Sequence, residues 1–168
     1  MAKEIVNIIN ENEYVEILQQ AVAKIHTART ALARQVNSSV HSAYWKLGKL
    51  LVEKQLEGGY GSGVVKRLSV DLKIQFPDMG LSPRNLWNMK RLYERYCQED
   101  AKLLQLVAVL PWGHNLLLLD KALSREETLF YIEECLQKGW SRDMLLNAIK
   151  MNTYTSHHGQ NEPLSFTS

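Results

Sequence analysis

The residues best suited to chemistry lie in the segment GLSPRNLWNMKRLYERY, which runs from Gly80 to Tyr96. Polar and apolar positions recur at helical spacing on opposite sides of this segment. The polar set is Arg84, Asn88, Arg91 and Arg95, and the apolar set is Leu86, Met89, Tyr93 and Tyr96. Arginine suits guanine edges and phosphates, whereas asparagine suits adenine edges. The segment therefore predicts a helix with a polar face that could contact nucleic acid.

We expect this helix to follow a first helix, VVKRLSVDLKIQF, in a helix-turn-helix-like unit, with Pro77 ending the first helix. The predicted base-reading residues are Arg84, Asn85, Asn88 and Arg91, and the predicted phosphate contacts are Lys66, Arg67, Lys90 and Arg95. Trp87 is a candidate for stacking on bases, since helical phase places it nearer the polar face. The alternative is a solvated amphipathic helix, and the six-residue turn is longer than a standard helix-turn-helix allows.

Charge is unevenly distributed along the chain, although the net charge is only +2. Residues 64–96 hold seven Lys and Arg against three Asp and Glu, which gives +4. Residues 97–136 hold three against seven, which gives −4. Adjacent segments of opposite sign form either two different faces or surfaces that compensate each other.

Patterns for catalysis or cofactor binding are not met. Backbone amides of GGYGSG could hold a phosphate, but the Lys-Ser or Lys-Thr of a nucleotide-binding loop does not follow. The histidines and cysteines show no metal-ligand spacing, and sequence order supports no Ser/Cys–His–acid set. We therefore expect neither enzyme activity nor a metal or cofactor in this chain.

The two cysteines, Cys97 and Cys135, fit no CxxC pattern, and the N-terminus lacks the basic-then-apolar layout of an export signal. Unbroken apolar runs such as Leu116–Leu119 are far too short to cross a bilayer. These observations predict a cytoplasmic protein with reduced thiols and no membrane partner.

A long N-terminal helix, or a helical pair, is predicted over residues 14–56, ended by Gly58 and Gly59. A phase shift at QVNSS, compatible with a kink, a break or a stutter, separates two apolar series. They are Leu18, Ala21, Ile25, Ala28 and Leu32, and then Val36, Val40, Ala43, Leu47 and Leu50. A single helix of this length would span roughly 65 Å and need a partner, so we expect a homo-oligomer such as a dimer.

The remaining chain is predicted to fold as a compact set of helices. Ser82 before Pro83, the capping box SREE from Ser124, and Ser141 mark helix starts, and Gly139 marks an end. The chain is therefore predicted to be all-α. The expected organisation is an N-terminal segment (1–13), a helical domain (14–151) and a mobile polar tail (152–168).

Five sequence blocks resemble the N-terminal domain of the bacterial YhcG-type family. They are VNSSVHSAYWKLGKLLVEKQ, GGYGSGVVKRLSVDLKIQFP, GLSPRNLWNMKRLYERY, LPWGHNLLLLDK and EETLFYIEECLQKGWSRDMLLNAI, and they cover about residues 14–150. The resemblance implies a helical, DNA-binding module that usually precedes a nuclease domain of the PD-(D/E)XK superfamily. The expected nuclease domain would begin where this chain ends, so targeting or assembly is implied here and cleavage is not.

Two functional hypotheses follow. The first is a DNA-binding or targeting module of a nuclease-associated protein, which holds duplex DNA through the basic segment from Lys66 to Arg95 and has DNA and a nuclease domain or chain as partners. The alternative is a protein–protein assembly domain built on the long N-terminal helix, without direct DNA contact.

Overall fold

The computed structural model describes residues 10–57 and 60–161, and within these ranges all regular secondary structure is helical, which confirms the all-α prediction. In chain order the helices are α1 (Glu11–Glu53), α2 (Tyr60–Gln75), α3 (Pro83–Tyr96), α4 (Ala101–Val109), α5 (Trp112–Asp120), α6 (Arg125–Lys138), α7 (Arg142–Lys150) and α8 (Thr153–Asn161). Gly58 and Gly59, predicted to end the first helix, lie outside the described residues. None of the described helices is both long enough and apolar enough to cross a membrane.

The chain divides into two compact units, residues 1–36 and residues 37–168. In the described part of the first unit, residues 10–36, every side chain is exposed, although large apolar residues recur along the helix. Ile25 is 57% exposed and Leu32 is 61% exposed. Helical stability in proteins comes mainly from packing an apolar face, so this face lacks the partner that such a stripe normally has.

Helix α1 is one continuous helix of 43 residues, which excludes a break at QVNSS. The phase shift coincides with the boundary between the two units, where burial begins. The buried residues of α1 are His41, Tyr44, Gly48 and Leu51. The predicted face was therefore wrong by one residue, because Leu50 is exposed and Leu51 is buried.

Helix α1 ends three residues earlier than predicted. Gln55 takes a left-handed conformation with φ of 56°, and the backbone N–H of Leu56 donates to the carbonyl of Leu51 at 3.1 Å. This 6→1 hydrogen bond is typical of a helix C-terminus. A non-glycine residue therefore closes α1 before the glycines are reached.

The second unit contains two hydrophobic clusters. The α1–α3 cluster comprises Tyr44, Leu51, Val65, Leu81, Leu86 and Met89. The C-terminal cluster comprises Leu92, Tyr96, Leu103, Val107, Leu110, Leu117, Leu118, Tyr131, Ile132, Cys135, Leu145 and Ala148. Helix α3 contributes Leu86 and Met89 to the first cluster and Leu92 and Tyr96 to the second. It is therefore the structural element that both clusters share.

Local capping signals were predicted correctly. The hydroxyls of Ser82, Ser124 and Ser141 accept from backbone N–H groups in the first turns of α3, α6 and α7. Gly139 is left-handed with φ of 68°. Asp100, which caps α4, was missed. The backbone N–H of Leu103 and the nearby Arg125 guanidinium lower the pKa of Asp100, so its contribution to stability is lost only as pH falls through that lowered pKa.

The predicted mobile tail contains one more helix. Residues 153–161 form α8, and the Tyr154 N–H donates to the Tyr131 hydroxyl at 3.1 Å. The Tyr154 ring also meets the Phe130 ring edge to face at 5.4 Å. These contacts attach the start of the tail to α6, while residues 162–168 lie outside the described range.

Gly48 allows α1 to approach α3 at backbone distance. A β-carbon at Gly48 would contact the Met89 carbonyl oxygen, lie 2.6 Å from the Met89 carbonyl carbon and lie 3.2 Å from the Lys90 nitrogen. These atoms belong to the backbone of a central helix and cannot rotate away. Only glycine therefore permits this packing.

We predict that Gly48→Ala lowers the stability of the second unit by about 1–3 kcal/mol or more, because the added methyl group forces the two helices apart. Gly63→Ala is the matched control, since Gly63 is also helical and a β-carbon there meets nothing within 4 Å. The control should be neutral or up to about 1 kcal/mol more stable. Thermal unfolding followed by circular dichroism measures both, and equal melting temperatures would contradict the prediction.

Both described cysteines are free thiols, and they should differ in reactivity. Burial, with a smaller effect of Glu134, raises the pKa of Cys135 to about 12. Its reactive thiolate is therefore absent at pH 8, whereas Cys97 is only half-buried. We predict that iodoacetamide labels Cys97 within minutes and Cys135 only on unfolding. Mass spectrometry of the native protein reads this out, and double labelling of folded protein would show that the C-terminal cluster opens.

Candidate nucleic-acid interface

Helices α2 and α3 are held together by the turn that joins them. The buried Ser69 hydroxyl donates to the Leu81 carbonyl at 2.6 Å, which ties the turn to α2. The Ser82 hydroxyl accepts from the Asn85 N–H at 3.1 Å, and Pro83 begins α3. This arrangement resembles a helix-turn-helix in element order. It fixes the position from which the predicted polar face begins.

The predicted polar face of α3 is only partly open to solvent. Arg84 and Arg91 are exposed, while Asn88 and Arg95 are half-buried. Asn88 accepts a hydrogen bond from Arg91 at 3.1 Å, which occupies its amide oxygen. The structure therefore brings these four residues together on one side, but it leaves them unequally available.

Acidic residues from later in the chain neutralise part of this face. Arg91 donates to Asp120 at 3.0 Å. Arg95 donates to Glu99 at 3.0 Å and lies over the Tyr96 ring at 4.8 Å. The basic and acidic segments are thus, at these two positions, compensating surfaces. The two pairs differ in burial, because Arg91 and Asp120 are both about half exposed whereas Glu99 is largely covered.

Lys90, predicted to contact phosphate, is a buried residue with 6% exposure. Its ammonium group pairs with Glu57 at 3.1 Å and with Glu94 at 3.4 Å. Burial alone lowers the pKa of Lys90, but the hydrogen bonds and charges of the two glutamates outweigh this effect and raise it. Lys90 therefore stays charged and occupied inside the fold, which corrects its assignment as a phosphate contact.

Asn85 and Trp87, predicted to read or stack on bases, take part in the packing of the fold. Asn85 donates to the Gly80 carbonyl at 2.6 Å and accepts from the Trp112 indole at 2.9 Å. Each end of its amide already has one partner, and these two hydrogen bonds fix the orientation of the side chain toward the turn and Trp112. Trp87 is half-buried against the α1–α3 cluster. These two side chains hold α3 to the turn and to its neighbours.

Lys66 and Arg67 on α2, together with Arg84 at the start of α3, are exposed cations of the predicted set. Within the described ranges, no carboxylate pairs with any of the three. Lys73, about two helical turns beyond Lys66, is also exposed, and it was not among the predicted contacts. The spacing of seven residues along α2 could have identified it. Among the described residues, none of these four groups is held in an ion pair.

The exposed face of α2 also carries apolar side chains for which the sequence predicted no role. Val70 is 60% exposed and Ile74 is 76% exposed. Phe76, directly after α2, is also exposed. The buried face of α2 is formed instead by Val65, Ser69 and their neighbours. The cations of α2 therefore flank an apolar strip.

In the described residues, the histidines and serines do not form a catalytic Ser–His–acid arrangement. A cleft of about 270 Å³ is lined by Ser38, His41, Ser42, Trp45, Leu104 and Ala108. Burial lowers the pKa of His41, and none of the lining residues is a carboxylate that could orient its ring. In the described ranges no three potential metal-ligating residues cluster together.

Comparison with known proteins identifies relatives by sequence. The family model described as "DUF1016 N-terminal domain" matches residues 20–156. The chain is 32% identical over 84 residues to a protein of Escherichia coli K12 named "Putative nuclease YhcG". That alignment covers 48% of this chain and 22% of the relative, so the match spans about a fifth of the relative's length. No solved structure matches the chain.

We predict that Asn85→Ala costs about 1–3 kcal/mol of stability, because it leaves the Trp112 N–H without its acceptor and removes the contact to Gly80. Chemical denaturation of the variant measures this cost. Asn88→Ala is the matched control, since Asn88 is bonded only to an exposed arginine, and it should cost less than about 0.5 kcal/mol. Equal losses in the two variants would contradict the structural role of Asn85.

Proposed function

The chain belongs to the DUF1016 N-terminal domain family, and from this premise we propose that it is a DNA-binding module that acts with a nuclease domain. The Escherichia coli relative is named "Putative nuclease YhcG", and the alignment covers 22% of that relative. The proposal assigns cleavage to the part of such proteins outside this match and assigns DNA attachment to the matched helices. It also places the protein in a reducing cytoplasm, which its free thiols support.

The observation that carries the proposal is the group of unpaired cations on α2 and at the first turn of α3. Lys66, Arg67 and Arg84 are exposed, and no carboxylate in the described ranges neutralises them. Arg84 also lies at the positive end of the α3 dipole, where anions are favoured. Phosphate contacts supply most of the affinity of non-specific DNA binding, so such cations are sufficient for attachment to duplex DNA.

Arg91 can join this surface when DNA is present. Its ion pair with Asp120 is solvent-exposed on both sides, and such pairs contribute only about 0–1 kcal/mol. A phosphate can therefore replace Asp120 at little cost. The same exchange is less favourable for Lys90, because its side chain is only 8% exposed and its ammonium group is held by two carboxylates, Glu57 and Glu94. Base reading in this proposal falls to Arg84 and Arg91, with Asn88 released when Arg91 moves.

We predict that Lys66→Glu combined with Arg67→Glu weakens duplex DNA binding about 10-fold or more, because two phosphate contacts become repulsive. The slope of log affinity against log salt should also fall by about 2. Lys121→Glu combined with Lys150→Glu is the control, since it makes the same charge change at exposed positions outside α2 and α3. Fluorescence anisotropy with labelled duplex at several salt concentrations gives both quantities.

The outcomes of this titration are distinct. Loss of affinity only in the Lys66/Arg67 variant supports the proposed surface. Equal loss in both variants would show that affinity depends on net charge and not on these positions. Unchanged affinity in both would contradict DNA binding through α2. Arg84→Glu with Arg91→Glu tests the α3 portion in the same assay. Unchanged binding by that variant would remove α3 from the interface.

A second candidate function is protein–protein assembly through α1. The observation that favours it is the row of exposed apolar residues in the first unit, where Ile25 and Leu32 are each more than half exposed. Contiguous exposed apolar surface of this kind is typical of interaction sites. Assembly and DNA binding use different residues, so light scattering and the DNA titration measure them separately.

A further inference from the structure

We propose that residues 14–32 of α1 pair with the same residues of a second copy of this chain in antiparallel orientation. The inference rests on the assembly candidate above and names its occupant and geometry. The apolar stripe is defined as the a and d positions of three heptads, Tyr14, Leu18, Ala21, Ile25, Ala28 and Leu32. All six side chains are exposed in the first unit. Regular alternation of three and four residues is the pattern of a two-helix seam.

The alternation of side-chain size within the apolar stripe favours antiparallel packing. The a positions hold Leu18, Ile25 and Leu32, whereas two of the three d positions hold alanine. Parallel helices place like positions together, so leucine would face leucine and alanine would face alanine. Layers of two large residues would then hold the helices apart, and layers of two alanines would leave cavities between them. Antiparallel helices place a against d, so that large residues face small ones and the layers interdigitate.

One register pairs all six residues of the apolar stripe and places alanine opposite a large residue in every layer except the two at the ends. Leu18 faces Ala28 of the second copy, and Ile25 faces Ala21 of the second copy. At each end of the seam, Leu32 faces Tyr14, where the larger pair lies at the open edge. The two copies are related by a two-fold axis, so every facing pair occurs twice. A closed two-fold arrangement of this kind ends at a dimer.

Charge along the helix points to the same orientation. The acidic residues Glu11, Glu13 and Glu16 lie at the start of α1, and the basic residues Lys24, Arg29 and Arg34 lie in the second half of the first unit. In the register above, Glu16 lies one residue from the position opposite Arg29 of the second copy. Antiparallel pairing therefore brings acidic ends against basic ends. The acidic half of each helix therefore lies along the basic half of its partner, so the two copies are complementary in charge along their length.

Parallel pairing is disfavoured by the same charges. Lys24 occupies a g position and Arg29 the following e position, and these two positions face each other across a parallel dimer. Two cations would then meet on both sides of the seam, whereas the antiparallel register, centred on residue 23, brings together only one such pair, Lys24 with Lys24 of the second copy. The acidic ends would also lie side by side. Like-charge contacts of this kind are a device by which natural coiled coils exclude the wrong orientation.

The existence of the interface is tested with a matched pair of alanines. Ala21→Glu places a carboxylate in the seam opposite Ile25, whereas Ala23→Glu places the same group two residues away on the opposite side of the helix. We expect the wild-type protein and Ala23→Glu to be dimers by light scattering. Ala21→Glu should dissociate at least about 10-fold more easily, since an unpaired buried charge is strongly unfavourable.

Disulfide trapping tests the orientation. In a Cys97→Ser background, one chain carries Leu18→Cys and a second, tagged chain carries Ala28→Cys. After subunit exchange, antiparallel pairing yields the mixed disulfide between the two chains. Parallel pairing yields a disulfide between two Leu18→Cys chains instead. The two sites are about 15 Å apart along a helix, well beyond the reach of one disulfide, so the products do not overlap.

The results separate the possible failures. A monomeric wild-type protein would overturn both self-assembly and its geometry, and would leave the stripe to a different protein. A dimer with Leu18-to-Leu18 trapping would keep assembly but overturn the antiparallel arrangement. A dimer that Ala21→Glu leaves intact would overturn the apolar stripe as the interface. Circular dichroism of each variant confirms that residues 37–161 keep their fold.

Discussion

The backbone contact at Gly48 is the constraint on which the second unit depends. It lets α1 pack directly against the Met89 carbonyl of α3, and α3 contributes side chains to both hydrophobic clusters. A bulkier residue in α1 would displace the helix that the two clusters share. Asn85 and Ser69 reinforce this centre, because they bind backbone carbonyls of the turn before α3. The candidate interface is therefore built on a rigid support.

Ion pairing explains why the basic segment presents fewer available cations than its composition suggests. A lysine can be buried only if acidic partners offset the loss of hydration, and Lys90 has two. Exposed pairs such as Arg91 with Asp120 contribute little and can be exchanged for other anions. The cations that remain unpaired within the described ranges, on α2 and at the start of α3, are consequently the ones that a polyanion would meet first.

The described part of the first unit lacks the apolar packing that stabilises the second unit. Its helix has large apolar residues at regular spacing, yet the described residues before Asn37 bury none of them. Under the proposed pairing, a second copy supplies the missing contact and each dimer carries two cationic surfaces. Linked surfaces raise the apparent affinity for a long polyanion when both can engage it. Assembly and DNA attachment would then support each other.

Much of the fold could be predicted from the sequence because its signals are local. Serine caps, the left-handed Gly139 and the apolar spacing of α3 each depend on residues within one or two helical turns. The resemblance to the YhcG-type family likewise rested on contiguous blocks, and the family match confirms it. The buried face of α1 was misplaced by one residue, because a glycine contact between helices, rather than side-chain hydrophobicity, determines which face turns inward.

The sequence by itself determined the helices, most of their ends, the family and the uneven distribution of charge. Only the tertiary structure decided which charges are available. The ion-pair partners of Lys90 and Arg91, Glu57 and Asp120, are 33 and 29 residues away along the chain. Helical periodicity describes the direction of a side chain from its own helix, but burial and pairing depend on what the rest of the chain places opposite it.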